Sequence, residues 1–66
     1  MIQVNELRAR MVAKGYTQEQ VAEKMNITPK TLSLKLSRGV FNSDEMQKLI
    51  EILDIKNPSF IFFGIE

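Results

Sequence analysis

A chain of 66 residues, 44% hydrophobic and 26% charged, suffices for one globular domain near the lower size at which a hydrophobic core holds unaided. It has no cysteine and no histidine, so disulfides, thiolate metal sites and the commonest general base are absent, and neither nucleophilic nor zinc chemistry is expected. The net charge of +1 by itself says nothing of a partner.

No apolar run approaches the roughly 18 residues of a membrane span. The N-terminus, interrupted by Glu6, Arg8 and Arg10, lacks a signal-peptide core. A cytoplasmic protein without membrane, cofactor, metal or small-molecule substrate is therefore expected.

In chain order, Val4, Leu7, Met11 and Val12 follow the spacing of an amphipathic helix over residues 4 to 14, with Gly15 ending it. This helix is expected to supply core. Thr17 then opens a second helix: its hydroxyl can accept from an exposed backbone N–H while Gln20 reaches back to the cap. Val21 and Met25 share one face of it, with small Ala22 beside them. Asn26 tolerates the left-handed conformation in which a helix stops.

Thr28-Pro29 is the next start signal, a cap hydroxyl followed by proline at the first helical position. Leu32 and Leu36 form the inward face of this third helix, and Ile27 plugs the turn from the same side. At 100° per residue, the opposite direction falls on Lys30, Leu34 and Ser37, flanked by Thr31 and Arg38. Two helix starts separated by so short a turn outline a helix-turn-helix at about residues 17–37.

Gly39 punctuates the third helix, and Val40-Phe41 form an apolar loop pair before the cap and acid cluster Asn42-Ser43-Asp44-Glu45. Met46, Leu49, Ile50 and Leu53 make the buried stripe of a fourth helix. A short final helix, about Ser59 to Phe63, is capped near Asn57-Pro58 or Ser59 and stopped by Gly64. Phe60 and Phe63 suit a core-closing role there; Ile61, Phe62 and Ile65 either complete the core with them, the simpler reading for so small a domain, or stay partly exposed as an apolar patch that marks a subunit contact. With no strand-like alternation anywhere, the fold class is all-α: five helices in a single domain over 1–66.

Charge is unevenly placed. Lys24, Lys30, Lys35 and Arg38 are four basic residues in a window, Lys24 to Asn42, that holds no acid, whereas from Ser43 onward two basic residues face five acids. A solvated face is the bland explanation of such a run. Asp44 and Glu45 are most simply partners of a helix dipole, and the chain shows no acid-base pair or phosphate loop, so an enzyme is not expected.

These residues resemble the helix-turn-helix domains of the lambdoid phage repressor and Cro family, over nearly the whole chain. The matched positions are Gln18, Val21-Ala22, the Met25-Asn26-Ile27 turn, Leu32, Gly39 and the Met46/Leu49/Ile50/Leu53 helix. Two departures stand out: Asn26 replaces the usual glycine of the turn, and the late apolar position of the third helix falls at Leu36 instead of Lys35. A closer likeness is to small phage regulators with a T-L-S-x-K-L-x-x-G signature, here Thr31 to Gly39, followed by F-x-x-x-E, here Phe41 to Glu45.

The resemblance implies a compact lambda-repressor-like domain, in a bacterial cytoplasm or nucleoid, that regulates transcription by placing its third helix in the major groove of double-stranded DNA. Lys30, Thr31 and Leu34 would read bases: Lys30 by donating to guanine O6 or N7, Leu34 by touching a thymine methyl. Gln18, Thr17 and Thr28 would meet the backbone at helix starts, with Lys35, Arg38 and Asn42 as phosphate contacts and Ser33 on the flank. A module reading three to five base pairs needs a two-fold partner, so a homodimer on a near-palindromic operator is expected. Its candidate surface is Phe41, Ile61, Phe62 and Ile65. The rival from another class is a protein-interaction module of the same fold, an antitoxin or a modulator docking on a repressor, in which Leu34 and the terminal phenylalanines would form one apolar surface. The single domain favours a Cro-like or accessory regulator over a full repressor, and an excised N-terminal domain is equally compatible.

Overall fold

Backbone signals at the ends of each segment decide where this chain turns. The computed structural model describes residues 2–64, and within them the order is α1 Val4–Ala13, α2 Gln18–Lys24, α3 Pro29–Arg38, α4 Ser43–Leu53 and α5 Pro58–Phe63. All regular structure among the described residues is helical.

α1 starts without a side-chain cap. It is tied instead across the molecule, where the Gln3 N–H donates to the Ile61 carbonyl at 2.6 Å and joins the chain's start to α5. It ends at Gly15, φ +76°, with the Tyr16 N–H donating to Met11 O and the Gly15 N–H to Val12 O, both at 2.9 Å. That pair of bonds is a Schellman close, which satisfies carbonyls the helix would otherwise leave bare. α2 then opens on a complete capping box: Gln20 N donates to Thr17 Oγ1 at 3.1 Å, and Thr17 N donates to Gln20 Oε1 at 2.9 Å. It closes in the same way as α1, but with Asn26 at φ +61° in place of glycine; the Ile27 N–H reaches Ala22 O at 3.0 Å.

Thr28 caps α3 with Pro29 at its start, and Gly39 at φ +68° stops it. A second capping box opens α4, where Asn42 and Glu45 exchange bonds of 2.8 Å each way. Asp54 ends α4 in the left-handed region. Its carboxyl titrates below the usual aspartate value, chiefly because Lys56 donates to it at 3.0 Å, with Lys14 from the end of α1 adding to the effect.

The core collects the inward faces: Leu7 and Met11 of α1, Val21, Ala22 and Met25 around α2, Leu32 and Leu36 of α3, and Leu49 and Leu53 of α4. Val4, Ile27, Met46 and Ile50 pack partly buried at its edge. α2 and α3 pack on each other, and Val21, Ala22, Met25 and Leu32 belong to the buried cluster beneath the motif.

Three expectations are corrected. Val12 is 77% exposed and belongs to no core face; it lies 140° round the helix from Leu7, whereas Met11 lies only 40° away. At the C-terminal end the inward arc of α5 is Ile61 and Phe62, buried to 1% and 2% exposure, with Phe60 half-buried and Phe63 turned to solvent. α5 lies against α1, so the residues that meet α1 close the core, and apolar spacing within a single turn could not tell which arc that would be. Phe41 is likewise buried. Phe41, Ile61 and Phe62, expected at a subunit contact, thus fill this chain's own core, and Ile65 lies outside the described residues. No helix among those described is long and apolar enough to cross a membrane.

Candidate nucleic-acid interface

Two leucines aim the third helix. Leu32 and Leu36 are locked into the core, so the opposite side of α3 is turned outward, and Lys30, Ser33, Leu34, Ser37 and Arg38 are all exposed there. Lys30 and Arg38 have no acidic partner within ion-pair distance among the described residues. The first turn of α3 holds no acid, so nothing in that turn offsets the cations.

The remaining candidates differ in how far they are already engaged. Thr31 is half-buried; its hydroxyl shares a 2.8 Å hydrogen bond with that of Thr28, and its N–H donates to Thr28 Oγ1 at 3.2 Å. Thr17 is exposed, its hydroxyl accepting from Gln20, and Gln18 is half-buried beside it. Asn42 is exposed, with its side-chain oxygen used by the cap of α4. Lys24, counted in the basic segment, sits 5.1 Å from the centre of the Tyr16 ring, a cation–π contact that turns it toward the α1–α2 junction.

Lys35, expected at a phosphate, already has an anionic partner within the chain. Its ammonium stands 2.9 Å from Glu45 Oε2, and neither side chain is more than 30% exposed. Burial alone would push the Glu45 carboxyl up, but the Asn42 N–H and the Lys35 ammonium outweigh it and hold the group below its ordinary value.

The fold gathers some of these residues: Thr28, with Pro29 and Asn26, borders a hollow that the acids Glu19 and Glu23 also line, and two further groups lie elsewhere. Thr31, Leu34, Lys35, Arg38 and Val40 border one shallow groove along α3, while Thr17 and Gln18 border another with Arg8, Met11, Val12 and Tyr16. Arg8, Val40 and Glu45 were not among the sequence candidates. Glu45 lies ten residues from its lysine, a through-space pair that helical spacing cannot reveal, and Arg8 shares a groove with Thr17 and Gln18 across the turn between α1 and α2. Val40 was visible as an apolar loop residue but carried no sign of its neighbours.

A helix held by its inner face, bare of acids in its first turn and edged by unpaired cations, has the form that enters a DNA major groove. Searches of curated proteins and of solved structures gave no significant match. A family model described as helix-turn-helix matches residues 7–60, most of the chain. The chain therefore belongs to the lambda repressor/Cro-like helix-turn-helix family of DNA-binding regulators.

Proposed function

We propose that this protein is a sequence-specific transcriptional regulator of the phage Cro or repressor kind, which places α3 in the major groove of a near-palindromic operator as a homodimer. The observation that carries the reading is the outward face of α3, where Lys30, Leu34 and Arg38 are exposed together on a segment without acids. Lys30 donates to a guanine edge and Leu34 covers a thymine methyl, with Thr31 and Ser33 beside them. Arg38 neutralises phosphate, and Gln18, Thr17, Thr28 and Asn42 fix the register on the backbone.

Two-fold pairing is inferred from site size, since so few base pairs cannot single out an operator among a genome's competing sites. With Phe41, Ile61 and Phe62 buried and Phe60 half-buried, Phe63 at the end of α5 is the most exposed phenylalanine among the described residues, and it meets a second copy. A cytoplasmic or nucleoid location goes with this reading.

Fluorescence anisotropy on a labelled random duplex at two salt concentrations tests it. Affinity that falls steeply with salt is expected, because neutralised phosphates release counterions. Absent or salt-insensitive binding would favour a protein partner for the same face instead.

A further inference from the structure

We propose that Glu45 withholds Lys35 from DNA: the pair holds the C-terminal half of α3 in place and lowers the protein's sequence-independent affinity. The inference rests on the DNA-binding reading above and assigns Glu45 as a positioning residue within it.

Two observations carry it. Lys35 borders the same groove as Arg38, Leu34 and Val40, so a phosphate strand meeting Arg38 passes within the span of a lysine side chain. Both oxygens of the Glu45 carboxylate are engaged, Oε1 accepting from the Asn42 N–H at 2.8 Å and Oε2 meeting Lys35 at 2.9 Å. The carboxylate is therefore held by the first turn of α4 in the position where it meets the ammonium, so the lysine must give up a fixed anionic partner to reach a phosphate.

A phosphate contact by Lys35 thus exchanges one anionic partner for another, and net gain from the exchange is small. Without the charge of Glu45, the lysine would serve as an ordinary phosphate contact. As built, Arg38 and Lys30 remain the uncompensated cations of α3 among the described residues.

Glu45→Gln separates charge from cap. Glutamine serves at the third helical position as well as glutamate does, and Gln20 already fills that role in the capping box of α2. The experiment is anisotropy on a labelled random duplex across a salt series, with circular dichroism to show each variant folded. E45Q should bind about two- to fivefold more tightly and steepen the salt slope by about one, as one more phosphate is neutralised. Adding Lys35→Gln to E45Q should abolish both gains, which a purely structural effect of the glutamine would not do.

Two results overturn the inference while leaving DNA binding intact: an unchanged slope in folded E45Q, or a slope shallower by about one in K35Q alone, which would make Lys35 a phosphate contact in the natural chain. If the natural chain itself shows no salt-dependent binding, the DNA reading falls and this inference with it.

Discussion

Leu32 and Leu34 stand two residues apart on α3 and face opposite ways, the first 0% exposed and the second 46%. Leu32 packs in the core beneath the motif, whereas Leu34 borders the outer groove with Thr31 and Arg38. Truncation should separate stability from recognition. Leu32→Ala is expected to cost about 2–5 kcal/mol, a large part of what a domain of this size holds. Leu34→Ala should stay within about 0.5 kcal/mol of the natural stability, yet weaken binding to a selected duplex. Urea denaturation and anisotropy check the two halves.

The turn of the motif depends on a residue other than glycine in the left-handed region, Asn26 at φ +61°. Asn26→Gly should leave stability within about 0.5 kcal/mol, since glycine takes that conformation freely at some cost in chain entropy. Asn26→Val should lose about 1–2 kcal/mol from the strain of a branched side chain there. Thermal melts of both variants distinguish this from a turn that accepts any residue.

Acid should weaken the α3–α4 junction. The Glu45 carboxyl titrates below its ordinary value of 4.5 because the Asn42 N–H and Lys35 outweigh the opposing effect of burial. A lowered native value means the unfolded chain takes up the proton first, so this contribution is complete above the ordinary value and lost as pH falls through the lowered one. Acid unfolding followed by circular dichroism should show a steeper loss of stability across that window in the natural chain than in E45Q. At neutral pH, E45Q should cost about 0.5–1 kcal/mol, the size of such a pair.

The phenylalanines of α5 should respond in opposite ways. Phe62→Ala is expected to cost about 3–5 kcal/mol, and Phe62→Asp to unfold the domain. Phe63→Asp should leave the fold intact and, if two copies meet through this end, shift sedimentation toward monomer. A folded F62D variant would contradict the burial of that ring.

What could be read from residues alone was what residues a few positions apart decide. The Thr17–Gln20 box, Asn26, Thr28-Pro29 and Gly39 act within one turn, so their spacing carries the helix boundaries. The Leu32–Leu36 repeat likewise sufficed to say which side of α3 faces outward. Val12 was misplaced because an apolar residue off the main stripe looks the same in sequence whether covered or bare. The arc of α5 is set by α1, more than forty residues away in the chain, and the Lys35–Glu45 and Lys24–Tyr16 contacts are likewise settled by tertiary packing. In the candidate site, therefore, position was legible and the engagement of each side chain was not.

The measurement that bears most directly on the central claim compares Lys30→Ala and Arg38→Ala on a duplex selected from a random pool and on random duplex. K30A is expected to lose about 1–3 kcal/mol on the selected site and to relax preference at one base pair, whereas R38A should weaken both duplexes alike and make the salt slope shallower by about one. Equal effects of the two changes on both duplexes, or no effect of either, would contradict a reading role for the outward face of α3.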